Sequence, residues 1–245
     1  MKILLEIAFV GSAYCGFQVQ ENAPSVQRTL QDALEMFFAV PLALTGCSRT
    51  DSKVHAKQFF CTAEGEIPEN FPLDRLPSAS RAFLPRDIAI LSAKEVPASF
   101  HVRYDVQYKE YEYRILNTAA TDPFMNGRVY HYPRPLDAAA LDRAAAAFVG
   151  THDFAGFMAA GSKVTDTVRT IRYFRVEREG VLVRMRVAAD GFLYNMVRIL
   201  CGTLLAVNEG KIAASELPAI IASRDRRRAG MTLPPEGLYL VKVVY

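Results

Sequence analysis

The amino-acid sequence predicts an α+β chain made of two halves, each running β-α-β-β-α-β, and three observations carry that prediction. Apolar residues recur at strand and helix spacings in that order, and the order starts again after Pro97. Of 245 residues, 51% are hydrophobic and 22% charged, enough apolar side chain for a core and too much for a disordered polymer. This length suits one large domain or two smaller halves sharing an interface.

Lys2–Val10 opens the first half as a strand. Pro24 and Ser25 start a helix whose apolar positions Val26, Leu30, Ala33, Leu34, Phe37 and Phe38 share a face, and which runs to about Ala39. Strands at Leu42–Gly46 and Gln58–Ala63 flank a polar turn, Ser48–His55. A proline-punctuated helical stretch, Leu73–Phe83, and a strand, Ile88–Ala93, complete the half, which spans residues 1–103. The second half, residues 104–245, holds a strand at Tyr104–Leu116 and a helix at Ala138–Phe148 opened by Asp137. Two strands follow, Val168–Arg178 and Val181–Val187, hinged on Glu179-Gly180. A helix at Phe192–Val207 and a strand at Leu238–Val244 close the order. No residue-level repeat accompanies it. Two such sheets meeting edge to edge leave a cleft, a natural place for a ligand.

The longest stretch without a charge, Ile7 to Gln20, includes Gly, Ser and Gln and is too short to span a bilayer, so no membrane segment is expected. Glu6 interrupts the apolar opening that a signal peptide needs, and the chain reads as cytoplasmic. Cys15, Cys47, Cys61 and Cys201 lie far apart with no C-x-x-C pattern. Neither a disulfide framework nor a zinc site has its spacing, so reduced thiols and no metal are expected.

The net charge is +3, but residues 1–122 carry 12 basic against 15 acidic side chains and the remainder 17 against 11. Arg169, Arg172, Arg175, Arg178, Arg184 and Arg186 form one basic series, and Arg224-Asp225-Arg226-Arg227-Arg228 another. Either suits the phosphates of a nucleic acid, and either also suits a solvated face or a helix C-terminus; charge alone does not separate these.

Three clusters carry chemistry. Gly46–His55 is a turn displaying Arg49, Asp51, Lys53 and His55, in which a nearby cation keeps a partly buried Asp51 ionised; Ser, Thr and Asp also simply make good turns. Tyr108–Arg114 is a strand with Tyr111 and Tyr113 on one face and its charges on the other. A tyrosine at a cleft can stack on a nucleobase, and aromatic residues also favour strands for packing alone. Arg198 stands in the apolar run Phe192–Gly202, where its guanidinium either enters a partly buried site that calls for a carboxylate partner or snorkels to solvent.

Gly46–Ala56 resembles the G-R-T-D-x-G-V-H-A signature of pseudouridine synthases, and the whole chain is similar to the tRNA pseudouridine synthase A family. The likeness runs through Gly16-Phe17-Gln18-x-Gln20, Phe100-His101-x-Arg103, Lys109-x-Tyr111-x-Tyr113, His152-Asp153-Phe154, Thr167–Ile171, Phe192-x-x-x-Met196-Val197-Arg198 and Glu236–Leu240. Each is weak alone, and their joint order is specific.

The resemblance implies two α+β halves around a central mixed, mostly antiparallel sheet. It also implies a homodimer whose basic cleft holds the anticodon stem-loop of tRNA, and no cofactor. The implied reaction is isomerisation of uridine to pseudouridine at about positions 38–40 of tRNA, on a nucleotide extruded from its stack. Asp51 matches the nucleophilic aspartate, Arg198 its arginine partner and Tyr111 the tyrosine that stacks on the uracil. Arg49 matches the arginine that helps displace the base, and Leu238 an apolar residue near the uracil. Attack at C1′ of the ribose and at C6 of the uracil both remain open, and Tyr111 is a candidate for the base that removes the C5 proton. The chain departs from the family pattern at Lys53, where glycine is usual. The alternatives are an RNA-binding module without turnover and a pseudouridine synthase for another RNA. His55 and His101 receive no role beyond a structural hydrogen bond for His55.

Overall fold

The computed structural model describes residues 1–162 and 164–245. In chain order its strands are β1 (Lys2–Phe9), β2 (Leu42–Gly46), β3 (His55–Gly65), β4 (Ile88–Glu95), β5 (Tyr108–Leu116), β6 (Tyr130–His131), β7 (Gly150–Asp153), β8 (Val168–Glu179), β9 (Leu182–Ala189) and β10 (Leu238–Val244). Its helices are α1 (Val26–Phe38), α2 (Leu76–Ala79), α3 (Ala138–Ala145), α4 (Met196–Asn208) and α5 (Leu217–Ser223). They divide into two compact units, Met1–Gln107 with Tyr239–Tyr245, and Tyr108–Leu238.

In the first unit β1 pairs antiparallel with β3 on one side and β4 on the other. Being internal, it buries residues on both faces, Ile3, Leu5 and Ile7 completely and Leu4 nearly so. Helix α1 begins where Ser25 Oγ accepts the Arg28 N–H at 3.3 Å, and it turns Val26, Leu30, Ala33 and Leu34 inward. The order β1-α1-β2-β3-α2-β4 is the one expected from sequence. The free edge of β3 is shared: β2 lies antiparallel along its far end, and β10 pairs parallel with its start through Tyr239↔His55 and Leu240↔Ala56. Thus β10, which chain order groups with the second half, belongs to the sheet of the first unit.

The second unit is an antiparallel run, β5-β9-β8-β7, with β6 added parallel to β5. Tyr113, Ile115, Val183, Met185 and Val187 are fully buried on one face, with α3 against β8 and α4 against β5. The N-terminus of α3 is capped as expected, Asp137 Oδ1 accepting the Ala140 N–H at 2.9 Å. Both units are α+β with mixed, mostly antiparallel sheets.

The charged face of β5 is not solvated at Glu112. Glu112 is 3% exposed; its carboxylate accepts from Arg114 Nε at 2.7 Å and from Arg186 Nε at 2.8 Å. Burial pushes its pKa up, but hydrogen bonds and charge from the two arginines outweigh that and hold it below the usual carboxylate range. Several element boundaries also move: β3 starts at His55 rather than Gln58, and the stretch Leu73–Phe83 is an α-helix only over Leu76–Ala79. β5 starts at Tyr108 because His101 Nδ1 accepts the Arg103 and Tyr104 N–H groups and turns the chain there. α4 starts at Met196 because Asn195 is left-handed, at φ +60. Among the described residues no helix is long and apolar enough to cross a membrane.

Candidate active site

The turn carrying Asp51 is held through backbone groups, and Ser52 Oγ adds a side-chain bond to the Tyr14 carbonyl at 3.4 Å. Lys53 N–H donates to the Tyr14 carbonyl at 3.0 Å, Phe17 N–H to the Thr50 carbonyl at 3.4 Å, and Val54 N–H closes the turn onto the Asp51 carbonyl at 3.2 Å. The segment that receives it is built to lie close. A Cβ on Gly11 would fall 2.0 Å from the Val54 oxygen, and one on Gly16, at φ +95, would fall 2.4 Å from the Thr50 oxygen. Tyr14 is itself anchored, its hydroxyl donating to Asp87 Oδ1 at 2.8 Å. Burial, then that hydrogen bond, push the phenol pKa far up, so it stays a donor.

Below the turn His55 is buried, its Nδ1 accepting the Gly11 N–H at 3.0 Å and its ring stacked on Tyr239 at 4.5 Å. This is the structural role expected of it. Thr50 Oγ1 is buried and has no hydrogen-bond partner among the described residues, so the hydroxyl does not help hold the turn.

Asp51 itself is half-buried between two exposed cations, Arg49 and Lys53. Among the described residues neither cation makes a side-chain hydrogen bond or ion pair. Lys53 stands at φ +65, the left-handed region that glycine occupies freely and that costs another L-residue about 1–2 kcal/mol. The departure from the family pattern therefore falls on a position whose backbone favours glycine.

Tyr111 and Arg198 belong to the second unit. Tyr111 is 6% exposed and meets Phe192 edge to face at 5.1 Å. Arg198, half-buried on α4, donates from Nε to the Leu233 carbonyl at 2.6 Å and from Nη1 to Asn195 Oδ1 at 2.5 Å. The neighbouring Pro234 carbonyl accepts the Tyr113 hydroxyl at 2.6 Å, so the Leu233-Pro234 segment ties α4 to β5. Gly237 lies against the Tyr113 ring, where a Cβ would come within 2.8 Å, and Leu238 follows it, buried at the start of β10.

The two arginine series are committed internally. Arg184 pairs with Glu179 at 2.6 Å, Arg186 with Glu112, Arg175 with Asp142 at 3.7 Å and Arg169 with Asp166 at 3.8 Å. Arg178 donates to Asn117 and to the Leu136 carbonyl, and Arg172 sits 4.4 Å over the Tyr108 ring. In the second series Arg224 pairs with Asp153 at 3.0 Å and Arg227 with Asp225 at 2.8 Å, while Arg226 donates to the Gly230 carbonyl and Thr232.

The His152-Asp153-Phe154 motif has a structural account. Asp153 accepts from Thr167 Oγ1 at 2.6 Å and the Ala155 N–H at 3.0 Å and pairs with Arg224. Sequence reading missed the parts played by Tyr14, Asp87 and Gly11 in holding the Asp51 turn. Its only available signal was the Gly16-Phe17-Gln18 motif close behind Tyr14.

A family model described as tRNA pseudouridine synthase matches residues 7–105 and 144–245. Proteins named tRNA pseudouridine synthase A are similar along the whole chain. One from Acetivibrio thermocellus is 44% identical over 247 residues, covering 100% of this chain and 99% of its own. One from a Thermoanaerobacter species is 40% identical over 244 residues, with the same coverage. One from Halalkalibacterium halodurans is 42% identical over 238 residues, covering 97% of this chain and 90% of its own. Matched by the family model over most of its length and by full-length relatives at these identities, the chain is a member of the tRNA pseudouridine synthase family, a family of isomerases.

Proposed function

We propose that this isomerase acts on the anticodon stem-loop of tRNA, at about positions 38–40, with Asp51 as nucleophile on an extruded uridine. The observation that carries the reading is the Asp51 turn. A carboxylate stands on a turn whose main chain its neighbours hold, between two exposed cations without side-chain partners among the described residues, in a chain that its relatives match end to end.

The chemistry follows from the residue types. The N1–C1′ bond of uridine must break and a C5–C1′ bond form, after which C5 loses its proton and N1 carries one. An ionised Asp51 does this by attacking C1′, which releases uracil to rotate, or by adding to C6 of the ring. Tyr111 supplies an aromatic face for the uracil and is the candidate base for the C5 proton. Arg198 supplies a fixed guanidinium to hold the carboxylate ionised, Arg49 assists displacement of the base, and Leu238 offers an apolar wall. The reading requires these groups to act on one nucleotide. We also propose a homodimer, which rests on the family resemblance, and a cytoplasmic location.

The test is to incubate the purified chain with unmodified tRNA and map pseudouridine at each position. Product confined to the 3′ side of the anticodon arm is expected. Product elsewhere would assign the chain to another RNA site, and tight binding without product would make it a binding module.

A further inference from the structure

In the Asp51 turn, Lys53 departs from the family signature at a position where the departure carries a conformational cost. Its φ of +65 cannot relax locally. The Lys53 N–H is bonded to the Tyr14 carbonyl on one side, and the Val54 carbonyl on the other is packed against Gly11 with no room for a methyl group. What the lysine brings in exchange is an exposed ammonium with no side-chain partner among the described residues, two residues beyond Asp51.

The electrostatic need for it is plain. A carboxylate nucleophile has to approach a polyanion and repels it. Arg49 alone leaves the turn's charge at zero, and Lys53 brings it to +1. An extruded nucleotide keeps a phosphodiester on each side, so anionic oxygens accompany the uracil wherever it binds.

We propose that Lys53 binds one of the RNA phosphodiesters flanking the target uridine, a contact that a glycine at this position cannot make. It rests on the isomerase reading above.

The test compares the wild type with Lys53→Gln, which keeps the side-chain bulk and the backbone conformation but removes the charge, and with Lys53→Arg and Lys53→Gly. Affinity for an unmodified tRNA transcript is measured from low to moderate salt, and thermal unfolding is recorded alongside. Lys53→Gln is expected to weaken binding about 5–10-fold at low salt and to lower the slope of log Kd against log salt by about one. Lys53→Arg should keep the wild-type slope. Lys53→Gly should lose affinity like the Gln variant while unfolding a few degrees higher, about the shift that relief of a left-handed residue allows. A Lys53→Gln protein with the wild-type Kd and slope overturns the contact. Pseudouridine yield from the same wild-type preparation judges the isomerase reading separately, so either idea can fail without the other.

Discussion

Arg49 and Lys53 carry the same charge as the arginines of β8, β9 and residues 224–228, yet the two regions hold their charge in opposite states. The arginines of β8, β9 and residues 224–228 named above face carboxylates, carbonyls or an aromatic ring of their own unit. Among the described residues the cations beside Asp51 are exposed and have no side-chain partner. The density of basic residues in a sequence therefore does not tell which cations stay unpaired after folding. A field available to RNA depends on which cations remain unpaired after folding, and a committed arginine serves stability first.

The largest break in this comparison is expected from Asp51→Asn. Pseudouridine formation should fall by roughly 10⁴-fold or more, the scale on which an essential nucleophile acts, while tRNA binding is kept because a repelling charge is gone. Normal yield from that variant would remove Asp51 from the reaction. Gly16→Ala tests whether the turn depends on its close backbone contact. A side chain at φ +95, facing the Thr50 oxygen at 2.4 Å, should cost more than about 2 kcal/mol in chemical denaturation and lower activity with it. An unchanged denaturation midpoint would show that the turn is not held this way.

On the committed side, Glu112→Gln strips Arg114 and Arg186 of their shared carboxylate and should destabilise by about 2–4 kcal/mol. Its pH dependence has a definite sign. A carboxylate whose folded pKa is lowered contributes stability above the unfolded pKa and loses it as pH falls through the folded one. The wild type should therefore lose stability on the acid side of the usual carboxylate range, and the Gln variant should lack that part of the loss. The smallest effect is expected at Arg227, whose side chain is 90% exposed and whose charge partner Asp225 it holds at a pKa of about 2. Arg227→Ala should leave the Tm and the salt slope of tRNA binding where they were. A slope reduced by about one would give that arginine a phosphate and narrow the contrast between the two regions.

Regular, amphipathic elements are legible in this sequence. β1, β2, β10, α1 and α3 show their spacing or their caps, and Asp137 marks the start of α3 as directly as it forms it. β6, β7 and α5 span two, four and seven residues, too few for a period to stand out. The burial of Glu112 is not legible from alternation, because its pairing depends on the register that sets it opposite Arg186 on β9. The Asp51 turn stands out by its side chains, but what holds it is the carbonyl of Tyr14, and backbone atoms leave no residue-specific trace. The membership of β10 in the first unit is likewise invisible, because a parallel partner distant in the chain leaves no local pattern.

That last strand has a consequence for synthesis. Residues 1–107 emerge first, but the sheet that supports Asp51 takes its final strand from residues that follow the whole of Tyr108–Leu238. At about 5–20 residues per second the wait is on the order of 10 s. Throughout it His55 lacks the Tyr239 ring, and the start of β3 presents an unpaired edge to whatever is near. A nascent chain thus carries the Asp51 sequence well before it carries the finished Asp51 unit, and modification of tRNA waits until the second unit has been made.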